Sequence, residues 1–281
     1  MATLYIVATP IGNLKDITLR ALETLQKVAL VAAEDTRVAK KLFSAHGITT
    51  PLISYHQHNA SQRDPQLLDE IEQDKDIALI TDAGTPLVSD PGHSLVATCR
   101  QQGVEVVPIP GACASIAALS VNDFNITRFS FEGFLPPKRS ARISRLEQLS
   151  LCEHATVLYE AKHRIVAVLE DVQSTFGPER KLMIARELTK MHEQIVSGEV
   201  QQILEQLNNE AIPLKGEFVV VIEGADGSAQ NDIDLQNMRL LFSKVASVMS
   251  HRDAVSLAMS LTSLPKNTLY DLASEYYSSN G

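Results

Sequence analysis

The chain has 281 residues, 44% of them hydrophobic and 21% charged, so at roughly 150 residues per domain about two globular domains are expected, and disordered or fibrous classes are excluded. Its 25 Lys and Arg against 34 Asp and Glu give a net charge of -9, which argues against nonspecific nucleic-acid binding through overall charge. A polyanionic partner has to meet a local basic patch.

The opening MATLYIVATPIGN lacks a basic stretch, and Pro10 and Gly12 break its apolar run; no secretory leader is expected. LYIVA is followed by an amphipathic DITLRALETLQKV, then LVAAED, a helix over 37–46, LISY, a helix over 61–73, DIALIT, the helix SLVATCRQQG, VEVVPIP and the small-residue ACASIAALS. This is the rhythm of parallel βαβ units, and five strands make one open sheet over residues 1–122. A second α/β domain is predicted for 123–224. After the turn-rich FEGFLPPKRS come a helix near 140–150, ATVLYE, a helix near 163–175, KLMIARE, EQIVSGE, a short helix and EFVVVIEG, which suggests a mixed sheet. Residues 225–234 read as a polar linker. Residues 235–281 read as a helical extension with a helix-turn-helix outline around Leu264, Pro265, Lys266 and Asn267. The longest uncharged run, 106–122, is interrupted by Pro108, Pro110 and Gly111 and is shorter than the roughly 20 residues of a spanning helix, so no membrane segment is expected. Cys99, Cys113 and Cys152 are odd in number and far apart, which supports neither a disulfide framework nor a zinc knuckle and fits a reducing, cytoplasmic compartment.

In an open α/β sheet ligands lie outside the carboxyl ends of the strands. The first such loop, Thr9 to Asn13, lacks G-x-G-x-x-G, and no G-x-x-x-x-G-K-[ST] occurs, so nicotinamide dinucleotides and P-loop chemistry are unsupported. The densest signal is DAGTPLVSDPG over 82–92. Its small residues let a ligand touch the main chain, while Asp82 and Asp90 repel phosphate and suit a positive centre or hydroxyls. The same string also reads as a capped turn, with Asp90 as N-cap of a helix beginning at Pro91. PGACAS places small residues at another crevice-facing helix start, or simply packs a helix tightly. Glu34, Asp35 and Arg37 either orient a substrate or cap the next helix. Glu187 and Lys190 close a strand as a base with its partner or as a salt bridge. His56 and His58 lack a third ligand at metal spacing, so no metal is assigned. Cys99 and Cys113 lack an activating neighbour and read as small core residues. Lys138, Arg139, Arg142 and Arg145 form the one basic cluster, either a solvated helix face or a phosphate-tracking patch.

Taken together, TPIGNLKDIT, AEDTR, DAGTPLVSDPG, PGACAS, FEGFLP, LYEAKHR, ARELTK and KGEFVVVIEG resemble the successive motifs of the bacterial 16S ribosomal RNA 2′-O-methyltransferases that act on a decoding-region cytidine. These belong to the tetrapyrrole methylase-like class of S-adenosylmethionine (SAM) methyltransferases. The resemblance spans about residues 3–224, and the tail resembles the same family's helix-turn-helix extension. It implies two α/β domains with SAM between them, a homodimer, and small-subunit ribosomal RNA as partner. Carried over by motif, SAM contacts fall on Pro10 and Gly12, on Gly84, Thr85, Pro86 and Val88, and on Cys113 and Ala114. From the second domain they fall on Tyr159 or Glu160 and on the Gly216-Glu217 turn. Asp35 and Glu187 are the expected proton acceptors, Arg37 and Lys190 the positioning cations, with Lys190 as alternative base. The sequence departs from the pattern at Ala60, where the family usually has an acid, and in a tail that keeps Lys266 and Asn267 but is otherwise poor in bases. Because the fold is shared, a methylase acting on a tetrapyrrole is the competing enzyme reading; a noncatalytic RNA-binding assembly factor is the competing nonenzyme one.

Overall fold

Side chains of the first strands alternate between two apolar faces, and both faces are covered. The computed structural model describes residues 2–88, 90–225 and 228–277, and only the backbone of 228–233; Ser89 of the 82–92 string lies outside the described residues. Strands β1 (Thr3–Val7), β2 (Leu30–Ala33), β3 (Leu52–Ser54), β4 (Ile77–Ile80) and β5 (Glu105–Ile109) form a parallel sheet in the order β3-β2-β4-β1-β5. Val7, Val31, Ala33, Ala78 and Ile80 face helices α1 (Leu19–Lys27) and α2 (Thr36–His46). Leu4, Ile6, Ala32, Ile77 and Leu79 face α3 (Ala60–Glu72) and α4 (His93–Gln101). Burial on two faces is why these strands read as continuous apolar runs. Local signals set the helix ends. Thr18 caps α1 and Asp35 caps α2, each side chain accepting a backbone N–H of the first turn, and Gly47 closes α2 in the left-handed region.

Helix α5 (Ala114–Ser120) leads to a second sheet of β6 (Phe129–Gly133), β7 (Ala155–Ala161), β8 (Lys181–Arg186), β9 (Gln194–Glu199) and β10 (Glu217–Ile222), in the order β6-β7-β10-β8-β9. It is mixed: β6 runs parallel to β7 and every other pairing is antiparallel. Helices α6 (Arg139–Ser150), α7 (Ile165–Phe176) and α8 (Val200–Asn208) cover one face through Leu146, Val168, Leu169 and Ile203. The other face, with Val157, Met183, Val219 and Val221, is covered by Ile11 and Ala118 from the first half of the chain. Helices α9 (Ser228–Val245), α10 (His251–Leu261) and α11 (Lys266–Tyr277) share a separate core around Phe242, Ala258 and Leu269. Among the described residues no helix is long and apolar enough to cross a membrane.

Three expectations are corrected. The FEG of the turn-rich stretch belongs to β6, whose Phe-Ser-Phe-Glu alternation is a short strand signal overshadowed by the prolines behind it. Helix α9 begins at Ser228, so helix occupies most of the predicted linker 225–234. Asp90 does not cap α4: the chain bends at Gly92, whose φ of 124° has no room for a side chain beside Leu79 and Leu87, and the helix starts at His93. His56 and His58 lie past the end of β3, their rings edge-to-face at 6.0 Å.

The basic cluster is also rearranged. Arg142 is 7% exposed and pairs with Asp171, itself 1% exposed, at 2.6 Å, while Arg139 reaches the same carboxylate at 2.9 Å. Arg145 pairs with Glu132 through two hydrogen bonds. Acids remote in sequence thus neutralise most of the cluster; Lys138 stands exposed and Arg139 keeps an exposed side chain. Removing one member of a buried pair strands the other charge. Asp171→Ala is therefore expected to lower unfolding free energy by about 3 kcal/mol, read as a reduced denaturant midpoint, with Arg142→Ala close behind and Lys138→Ala without effect.

Candidate functional site

The connection after β1 leaves toward β2, whereas the connection after β4 leaves toward β5 on the opposite side. The carboxyl ends of these adjacent strands are therefore the place where the sheet opens a crevice. Two loops meet there: Thr9 and Gly84 exchange backbone hydrogen bonds of 2.9 and 3.1 Å. Gly84 adopts a φ of 85°, which favours a residue without a Cβ. The third loop, before α5, presses against β1 closely enough that a Cβ on Gly111 would lie 2.9 Å from that of Ala8. The Ser115 N–H donates to the Tyr159 hydroxyl at 3.1 Å, tying α5 to β7 across the junction. Between the two sheets lies a cleft of about 380 Å³.

One wall of the cleft is acidic. Glu34, Asp82 and Asp90 line it from the first sheet. Burial pushes the Asp90 carboxyl up to about 6, with the Glu34 and Asp82 charges adding to the shift. Burial also raises Asp82, whose Oδ1 accepts the Asp35 N–H at 2.9 Å. This wall disfavours phosphate and suits a cationic ligand.

The opposite wall carries the turn between β8 and β9. Glu187 and Thr189 hold φ values of 51° and 66°, a conformation that costs a non-glycine residue about 1–2 kcal/mol. The turn is held there from several sides. The Glu187 carboxylate accepts the Glu217 N–H at 3.1 Å, and the Lys190 ammonium donates to Glu187 at 2.8 Å and to Glu217 at 2.9 Å. Gly216 leaves the space that the Glu187 side chain fills. Burial opposes the Lys190 charge, but its two carboxylate partners outweigh it and hold the ammonium protonated beyond its ordinary range. Burial likewise opposes the Glu187 charge, and Lys190 with the Glu217 amide reverses it, leaving the carboxyl below its ordinary range.

The cleft brings together Gly84, Thr85 and Val88, Cys113 and Ala114, and Tyr159, Glu160, Lys190 and Glu217 from the expected set. Pro10, Gly12, Pro86 and Gly216 are not on its surface; each is next in sequence to a residue that is, and Gly12 packs beneath Lys190. Asp35 and Arg37 stand outside, paired at 2.6 Å, with Asp35 drawn down to about 2 chiefly by its hydrogen bonds from Arg37. Sequence reasoning missed Phe134, which is 56% exposed, lines the cleft and meets Tyr159 edge-to-face at 6.0 Å. Its signal was an aromatic set in a turn beside two prolines. Among the described residues no group of three or more metal-ligating side chains converges.

Residues 3–204 match the family model described as Tetrapyrrole (Corrin/Porphyrin) Methylases. A Pasteurella multocida protein named ribosomal RNA small subunit methyltransferase I is 43% identical, covering 98% of this chain and 97% of the relative. A Synechocystis protein of the same name is 47% identical over 98% of each. Among solved structures, the fold is similar to a uroporphyrin-III-C-methyltransferase from Thermus thermophilus, with a TM-score of 0.58 at 19% identity over 79% of this chain and 94% of that one.

If the acidic wall faces the cation of SAM, its protonation weakens binding. Asp90 gains its proton as the pH falls through about 6, so SAM affinity measured calorimetrically is expected to fall by about fivefold between pH 6 and 5 and to level off above pH 7. Asp90→Asn should flatten that dependence and bind at the weaker, low-pH level throughout.

Proposed function

The chain belongs to the tetrapyrrole (corrin/porphyrin) methylase family, and from that premise we propose that it is a SAM-dependent methyltransferase of small-subunit ribosomal RNA, acting on the ribose 2′-hydroxyl of a decoding-region cytidine. The observation that carries this reading is the two-walled cleft: a carboxylate face without a pyrophosphate-binding glycine loop, opposite an ammonium fixed at Lys190. The residues fit SAM. Asp82 and Asp90 would balance its positive charge, and the main chain around Gly84 and Thr85 would hold its polar groups. The near-full-length relatives named as ribosomal RNA methyltransferases favour RNA over a tetrapyrrole, and the solved tetrapyrrole enzymes share the fold alone.

Bound SAM supplies a methyl group already activated by the sulfonium, so this chain's residues have three remaining tasks: alignment, exclusion of water and management of one proton. Lys190 stays protonated and is therefore unsuited to be the base; it is placed to donate to the ribose oxygen and to stabilise the negative charge that develops on attack. Glu187 and Glu217 position its ammonium. Asp35, drawn down to about 2 by Arg37, and Glu187, held by Lys190, are both poor proton acceptors, and we assign them to positioning instead. The proton goes to the Asp82 and Asp90 side of the cleft, where proton affinity is raised. Phe134 offers the target base an aromatic face at the cleft wall. The reading carries with it a homodimer in the cytoplasm.

Incubation of the protein with methyl-labelled SAM and small subunits lacking the modification is expected to place label on the ribose of one decoding-region cytidine. Label on a porphyrinoid, or none on RNA, would reject the assignment. Lys190→Ala should cut turnover by about 10² to 10³ while leaving SAM affinity within about threefold; equal losses in both would mean that the ammonium serves binding alone. Phe134→Ala should raise the KM for subunits and spare SAM binding.

A further inference from the structure

Resting on that reading, we propose that the outward face of α2, continued by Lys15, is the surface that holds the phosphates of the single-stranded RNA entering the cleft. Arg37, Lys40 and Lys41 are exposed and recur at the i, i+3, i+4 spacing of one helix face. Ala39, Leu42 and Phe43 occupy the opposite face in the core. The helix TRVAKKLFSAH contains no acid. Lys15, Lys40 and Lys41 have no carboxylate within salt-bridge distance among the described residues, in contrast to Arg139, Arg142 and Arg145.

Both ends of this face are tied to the cleft rim. At the first, Asp35 caps α2 and its N–H donates to Asp82 on the acidic wall. The Arg37 guanidinium is 88% exposed; it is held by Asp35 through Nε and Nη2, and Nη1 makes no bond among the described residues. At the other end, His46 Nε2 lies 3.1 Å from the Leu14 carbonyl in the turn that carries Lys15. In the same loop the Asn13 N–H donates to Thr189 Oγ1 at 3.1 Å, which joins that turn to the segment carrying Lys190. Positive charge thus forms an arc that starts and ends beside the cleft. A chain of net charge -9 repels RNA elsewhere, so a strand held on this arc is delivered to the site.

The test replaces Lys15, Lys40 and Lys41 together by Ala in the full chain. A control replaces Lys75, Lys181 and Lys244, which changes net charge equally. Binding to unmodified small subunits and to a single-stranded oligonucleotide of the target sequence is measured from 50 to 200 mM salt, with SAM affinity alongside. At about 0.7 per phosphate contact on single strands, the slope of log affinity against log salt should become shallower by about 2. Affinity should fall at least tenfold, the control should match wild type, and SAM binding should stay within twofold. Unchanged RNA binding, an equal loss in the control, or preference for a duplex of the same sequence overturns the proposal. If wild type methylates subunits but the lysine variant binds them normally, the arc falls and the methyltransferase reading stands. If wild type methylates no RNA yet binds the oligonucleotide through these lysines, that reading falls and the arc stands.

Discussion

The cleft depends on one packing event, the covering of the inner face of the second sheet by α5 and Ile11. That face presents Val157, Met183, Ala185, Val219 and Val221, and leaving it wet would forgo about 1.5–3 kcal/mol for each large side chain. Helix α5 can approach because its inward residues are small, with Ala114, Ala117 and Ala118 against the strands. Gly111 lets the preceding loop lie on β1. The hydrogen bond from Ser115 to Tyr159 then fixes the register of the two halves. The loops after β1, β4 and β5 come to face the β8–β9 turn, and neither half has a site without the other.

Electrostatics divides the cleft into two surfaces. On the first half burial raises the proton affinity of Asp90 and Asp82, with the Glu34 and Asp82 charges adding to the shift at Asp90, and makes the wall responsive to a cation. On the second half, two left-handed residues in a single turn store strain that the surrounding contacts overcome: Gly216 yields the space, and Glu217 and Lys190 supply hydrogen bonds to the Glu187 carboxylate. Strain of this kind persists only where the environment over-determines it, and such residues cluster at functional sites. The outcome is a lysine that keeps its proton and its place.

The positive charges of the chain behave in two ways. Around residues 138–145 the arginines reach Asp171 and Glu132 and serve to dock α6. Along α2 the lysines have no such partners among the described residues and remain on the surface. In one dimension both segments are short basic runs at a helix start. What separates them is whether an acid on another element lies within reach.

Much of the architecture was legible in the sequence because it rests on local chemistry. The alternation of apolar runs with amphipathic segments gave the βαβ order, and a cap at Asp35 was one of the two readings its position allowed. The loops holding Gly84 and Cys113 were visible as small-residue strings after buried strands. Other features could not be read this way. The bend at Gly92 that turns Asp90 from the helix start toward the cleft depends on the side chains of Leu79 and Leu87. The burial of Arg142 depends on Asp171, on a different helix, and the fixed charge of Lys190 depends on Glu217, on a different strand. The sequence by itself determined which loops line the cleft. The tertiary structure decided which charges are neutralised, which proton affinities are raised and which groups face the cleft, because charge depends on neighbours and burial that only the folded chain brings together.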